Sequence, residues 1–153
     1  MNPEIRRFRY NGEDTLSLPA RRETFATLRE WLTSIAEELG LPDQARKRLL
    51  IAADEIFTNI ANYGYPAGDG DIRIAVAFNI GKMELELTFS DRGIPYNPLD
   101  AQAPDLTRPP QERKAGGLGI FLVKKLMDRV SYRREDGQNI LVITKFLGEK
   151  GQK

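Results

Sequence analysis

Apolar residues change their spacing several times along the chain, and each change marks an element. Ile5 to Tyr10 and Thr15 to Leu18 read as two short strands around an Asn11-Gly12 turn, with Pro19 closing the second. From Thr24 onward Phe25, Leu28, Trp31, Leu32, Ile35 and Leu39 recur at helical spacing, and Gly40 stands where a C-terminal glycine stops a helix. Pro42 opens a second helix at its tolerant first turn. Leu49, Ala53, Ile56, Phe57 and Ile60 share one face of that helix, which runs to Tyr63 before Gly64 and Pro66 end it.

The period then falls to two. Ile72, Ile74, Val76 and Phe78 alternate within Asp71 to Phe78, and Met83, Leu85, Leu87 and Phe89 within Met83 to Ser90. With Asn79-Ile80-Gly81-Lys82 between them, they predict a hairpin with one face on a core. Arg92 to Ala115 follows no period and holds five of the nine prolines. It exceeds the ~12 to 15 residues beyond which connections tend to be lids, binding loops or disordered. Gly116 to Arg129 is apolar almost all round and predicts a largely buried helix. Val130 to Arg134 and Asn139 to Phe146 predict a last hairpin turning at Asp136-Gly137. This order predicts an α+β fold: a two-layer sandwich with helices on one face of a mixed, mostly antiparallel sheet. Residues 1–147 are expected to form a single domain and 148–153 a flexible tail.

Composition narrows the chemistry. A chain of 153 residues with 41% hydrophobic and 29% charged residues has the make-up of one soluble domain. It contains no cysteine and no histidine. That excludes a disulfide framework, a Cys/His zinc site, a thiol nucleophile and a Ser-His triad. Chemistry is left to carboxylates, amides, hydroxyls, Lys, Arg and the backbone. Lys and Arg number 23 against 22 Asp and Glu, with no long block of like charge, which argues against direct nucleic-acid binding. No apolar run reaches the ~18 to 20 residues needed to cross a bilayer. Met1-Asn2-Pro3-Glu4 does not open like a signal peptide, so no membrane partner and a cytoplasmic location are expected.

Three clusters are candidates for chemistry. On the second helix Glu55, Asn59 and Asn62 fall at i, i+4 and i+7 and share a stripe bordering the apolar face, with Lys47, Asp54 and Thr58 further outward. A carboxylate there can accept a proton, and an amide oxygen is a hard ligand suited to Mg²⁺. Solvated triplets of the same kind are common on surface helices. The second cluster is Asp91-Arg92-Gly93 at the end of an apolar strand. Its carboxylate can accept a hydrogen bond from the exocyclic amine of adenine, where guanine presents an acceptor, although an Asp-x-Gly turn alone accounts for the pattern. The third is Gly116-Gly117-Leu118-Gly119 at a helix start. Bare amides joined to the positive end of a helix dipole suit a phosphate, and a lid hinge with close helix packing explains them equally well.

In this order the clusters resemble the histidine-kinase-like (GHKL, Bergerat-fold) ATPases, and within them the small anti-sigma-factor serine/threonine kinases of bacteria. Glu55-Ile-Phe-Thr-Asn59-Ile-Ala-Asn62 resembles the N box, Asp91-Arg-Gly93-Ile-Pro95-Tyr-Asn-Pro98 the adenine box, and Gly116-Gly117-Leu118-Gly119-Ile-Phe-Leu-Val the phosphate box. The likeness extends from about Thr15 to Phe146. It implies an ATP site in which Asn59 ligates Mg²⁺, Asp91 reads adenine and Gly93 admits the ring. Gly116, Gly117, Leu118 and Gly119 would line the phosphates, with Asn62 near the nucleotide and Glu55 the general base. The implied substrate is a hydroxyl on an anti-anti-sigma partner, a STAS-type domain, with a sigma factor as a second partner and a homodimer as an allowed state. A non-catalytic, nucleotide-dependent binding module of the same fold is the alternative. One departure stands out: Tyr63 occupies the place where family members often carry His. Arg108, Arg113 and Lys114 in the proline-rich loop are available to balance phosphate charge.

Overall fold

In the computed structural model, residues 13–100 and 117–147 are described. Strand β1 (Glu13–Pro19) is followed by helices α1 (Phe25–Leu39) and α2 (Asp43–Tyr63), then strands β2 (Asp71–Asn79) and β3 (Glu84–Asp91). Helix α3 (Gly117–Leu126) and strands β4 (Arg129–Glu135) and β5 (Gln138–Phe146) complete the order. The strand expected at Ile5 to Tyr10, the tail and most of the proline-rich loop lie outside the described residues.

The five strands form one sheet in the order β1-β2-β3-β5-β4. The α+β sandwich is as expected, and among the described residues every ladder is antiparallel rather than mixed. Two tight hairpins account for part of this. Asp136 and Gly137 take φ values of 52° and 76° between β4 and β5, and Met83 takes 51° just before β3.

Period decides which faces meet. Leu28, Leu32, Ile35 and Ala36 of α1 and Leu49, Ala52, Ala53, Ile56 and Phe57 of α2 are buried. They join Ile72, Ile74, Val76 and Phe78, Leu85, Leu87 and Phe89, and Leu141 and Ile143 in one core. Each large side chain sealed there contributes about 1.5 to 3 kcal/mol. Gly40, with φ of 69°, ends α1 as anticipated: its amide turns back to the carbonyls of Ala36 and Glu37.

Helix α3 departs from expectation. It ends at Leu126 rather than Arg129, and it is not buried all round: Lys124 and Lys125 are exposed, and Phe121 and Leu122 are half-buried. The stop comes from β5. The Asp128 amide donates to the Thr144 carbonyl at 2.9 Å, and the Asp128 carboxylate accepts the Phe146 amide at 2.6 Å. The buried Lys145 ammonium donates to the last helical carbonyl, Leu126, at 3.4 Å and pairs with Asp128 at 3.5 Å. A cation at the helix C-terminus also opposes the dipole favourably. No helix among the described residues is long and apolar enough to cross a membrane.

On the helix-covered face, the register aligns Leu18, Ile72, Asp91, Asn139 and Arg134 across the sheet. This row lies at one end, and it turns from apolar to polar at β3. The candidate site begins there.

Candidate functional site

Asp91 is the last residue of β3 and shares the inward face with Leu87 and Phe89, so it is carried to the edge of the core with only 5% of its surface exposed. Its Oδ1 accepts the Gly93 amide at 2.9 Å and the Asn139 side-chain amide at 3.0 Å. Its Oδ2 accepts no hydrogen bond among the described residues, which leaves one oxygen of a buried carboxylate available to a ligand. Asn139 is itself pinned. Its Nδ2 also donates to the Ile94 carbonyl at 2.8 Å, and its Oδ1 accepts the Tyr132 hydroxyl at 2.6 Å and the Tyr96 amide at 3.3 Å. Arg134 donates to the Gly93 carbonyl at 3.0 Å.

From the other side the loop meets the end of α2. The Ile94 amide donates to the Gly64 carbonyl at 2.9 Å, and the Arg92 amide donates to the Tyr65 hydroxyl at 2.8 Å. A Cβ on Gly93 would collide with the Gly64 carbonyl oxygen. The close approach that this glycine permits is therefore backbone to backbone, between the Asp-x-Gly loop and the helix end.

Along α2 the predicted stripe is only partly sheltered. Glu55 and Asn59 are half-buried, whereas Asn62 and the neighbouring Tyr63 are exposed. Asp54 and Thr58, expected further outward, are half-buried as well and bond to each other at 2.9 Å. Burial, and secondarily the negative charge of Asp54, raise the Glu55 carboxyl above the ordinary carboxylate range. Helix α3 packs on α2 so that a Cβ on Gly119 would stand 2.7 Å from Glu55 Oε2. The carboxylate thus rests against the first turn of α3, where the opening N–H groups have no partner within the helix. Gly117 is the first residue of that turn and Leu118 the second. Gly116, Arg108, Arg113 and Lys114 lie outside the described residues.

From Glu55 to Gly64 the helix rises roughly 14 Å at 1.5 Å per residue. One helix therefore links two places: the α3 start beside Glu55, and the Asp91 loop seated on Gly64 and Tyr65. The sequence reading missed Tyr65, Asn139, Tyr132 and Arg134. Asn139 carried a signal, being a polar residue in the inward register of Leu141 and Ile143. Tyr65, two residues past a helix end, carried none.

The model of the histidine kinase-like ATPase domain matches residues 18–145. The chain belongs to this family. Its relatives within the family include the serine/threonine-protein kinase BtrW of Bordetella bronchiseptica, 31% identical over 131 residues that cover 86% of this chain and 92% of that protein. The serine-protein kinase RsbW of Listeria monocytogenes strain EGD-e is 33% identical over 141 residues, covering 89% and 88%. That of Halalkalibacterium halodurans is 30% identical over 137 residues, covering 86% and 82%. Among solved structures, the RsbU and RsbW domains of a Mycobacterium tuberculosis protein share the fold with a TM-score of 0.63 at 18% identity. That match covers 89% of this chain and 32% of the other. The histidine kinase domain of an Erythrobacter litoralis blue-light activated kinase aligns with a TM-score of 0.56 at 16% identity, covering 82% and 63%. The histidine kinase-like ATPase fold, and the likeness to the serine/threonine kinases within it, agree with the order of motifs in the sequence.

Proposed function

We propose that this chain is an ATP-dependent protein serine/threonine kinase that phosphorylates an anti-anti-sigma partner of STAS type and thereby switches the availability of a sigma factor. The observation that carries the reading is the placement of Glu55. A carboxylate made more basic by burial, in the middle of α2, abuts the glycine-bearing start of α3, while the C-terminal end of the same helix seats the Asp91 loop. The membership of the family and the kinase names of its relatives support ATP as the nucleotide.

The donor set fits that nucleotide. The free Oδ2 of Asp91 accepts a hydrogen bond from an exocyclic amine, and a guanine at the same place would leave it facing another acceptor. The amides of Gly117, Leu118 and Gly119 in the first turn of α3 are suited to donate to phosphate oxygens, and Gly116 precedes them in the chain. The half-buried Asn59, one turn from Glu55, offers an amide oxygen to Mg²⁺. The metal, when bound, neutralises charge across the phosphates. Glu55 takes the proton of the incoming Ser or Thr hydroxyl. That oxygen bonds to the γ-phosphorus as the bridge to the β-phosphate breaks, giving the phosphorylated partner and ADP.

The test is incubation with γ-labelled ATP and the purified STAS-domain proteins of the source organism. Label is expected on one hydroxyl residue of one partner. Glu55→Gln is expected to lower transfer by about 10² to 10⁴ while ATP affinity stays within a few fold. Nucleotide-dependent capture of a partner that never becomes phosphorylated would instead establish a non-catalytic binding module.

A further inference from the structure

We infer that Tyr65 is a positioning residue that sets the adenine-reading carboxylate of Asp91 by holding the amide next to it; the inference rests on the nucleotide site proposed above. The hydroxyl of Tyr65 donates to the Asp71 carbonyl at 2.7 Å and accepts the Arg92 amide at 2.8 Å. Asp71 opens β2, and its neighbour Ile72 is the register partner of Asp91. One hydroxyl therefore ties the first residue of β2 to the residue that follows β3. The ring is equally fixed: a Cβ on Gly70 would overlap it, so the glycine leaves the slot in which the ring lies.

The consequence appears in the three amides that follow Asp91. Arg92 N–H goes to Tyr65, Gly93 N–H to Asp91 Oδ1, and Ile94 N–H to Gly64. Two of the three acceptors lie in the Gly64-Tyr65 step that ends α2. The third is the Asp91 carboxylate itself, whose Oδ1 is thereby held to the loop while its Oδ2 accepts no hydrogen bond among the described residues. Without the Tyr65 hydroxyl, the Arg92 amide must find water or another acceptor, and the carboxylate of the preceding residue becomes a competing one. A carboxylate drawn to its own backbone is a poorer reader of an amine. Burial raises the Tyr65 pKa, with the Asp91 and Asp71 charges adding to it and the Arg92 amide and charge opposing, so the phenol keeps the proton it donates to Asp71.

The test compares ATP with purine riboside triphosphate, which lacks only the amine, by titration calorimetry on the full chain. The wild type is expected to prefer ATP by about tenfold or more. In Tyr65→Phe the preference is expected to shrink about five- to tenfold, with the affinity for purine riboside triphosphate nearly unchanged. An unchanged preference, or an equal loss for both nucleotides, overturns the inference, because a merely structural tyrosine weakens the two alike. Amide hydrogen exchange on the nucleotide-free wild type supplies an arm that needs neither variant nor ligand. Arg92 is expected to be protected, and free exchange there removes the latch. A protected Arg92 in a wild type with no preference for ATP refutes the nucleotide reading and with it the role assigned to Tyr65, while the contact itself stands.

Discussion

The two places that α2 joins, its C-terminal end and its middle, present carboxylates and amides under opposite conditions. At the C-terminal end, Asp91 and the amides of Arg92, Gly93 and Ile94 are bonded to Tyr65, Gly64, Asn139 and each other. Toward the middle of the helix, the side chains of Glu55 and Asn59 have no hydrogen bond among the described residues, and burial raises the Glu55 pKa. A group that reads one fixed edge of a base gains from being held before the ligand arrives, since nothing has to be ordered on binding. A group that must take a proton gains from a poorly solvated carboxylate not yet satisfied by the protein. In the proposed reading, fixed polar partners at the C-terminal end and open ones in the middle would separate recognition from transfer along a single helix.

Breaking the fixed end is expected to give the largest loss of binding. Asp91→Asn replaces an acceptor with a group that presents an amide to the amine of adenine, and it weakens the two bonds from Gly93 and Asn139. A buried mismatch of about 1 to 3 kcal/mol corresponds to about 5- to 150-fold. ATP affinity is expected to fall by that factor in calorimetry, and the preference over GTP to narrow. ATP affinity equal to that of the wild type would show that Asp91 does not read the base.

Altering the open middle is expected to do less to binding and more to turnover. In Gly119→Ala the new methyl meets Glu55 Oε2, the tip of a flexible side chain, so the carboxylate swings away and the fold is kept. Thermal stability is expected to hold or rise slightly, because Ala is the better helix former by up to ~1 kcal/mol. Transfer to the partner is expected to drop about tenfold, with ATP affinity within about threefold, if the carboxylate contributes part of the general-base effect. Loss of binding as large as the loss of transfer would place Gly119 at the phosphates alone and leave Glu55 without a measured role.

How far these two places are legible in the sequence differs for a physical reason. Glu55, Asn59 and Asn62 lie within two turns of one helix, so their periodicity shows the shared stripe, and Gly40 and the Asp136-Gly137 turn likewise announce themselves through local backbone demands. The partners of Asp91 do not. Arg92 meets Tyr65 across 27 residues and Asp91 meets Asn139 across 48, contacts that only the sheet register creates. The end of α3 fails for the same reason. Met127 continues the apolar pattern, but Asp128 is already bonded to Thr144 and Phe146 of β5, and no local signal carries that. The depth of the stripe was also only half visible. The wheel places Asp54 and Thr58 outward, whereas neighbouring elements half-bury them.

The smallest effect tests the comparison in the absence of any nucleotide. Because the folded protein raises the Glu55 pKa, the native state keeps a proton that the unfolded chain has already released. In the window from the ordinary glutamate range, about 4.3, up to the raised native value, native protein binds more protons than unfolded protein, and stability falls as pH rises. Above that window the ionised carboxylate is held at a cost, tempered because the group is only half-buried. Glu55→Gln removes the charge, and is expected to melt slightly higher than the wild type near neutral pH and at the same temperature below about pH 4. Asp91→Asn is expected to behave oppositely near neutral pH, melting lower, because its carboxylate already accepts two bonds from the protein. Calorimetric melts of the two variants across this range measure the difference. A Glu55→Gln protein that melts lower than the wild type at neutral pH would mean that the carboxylate has a stabilising partner in the folded chain, and the contrast between the middle and the C-terminal end of α2 would fail.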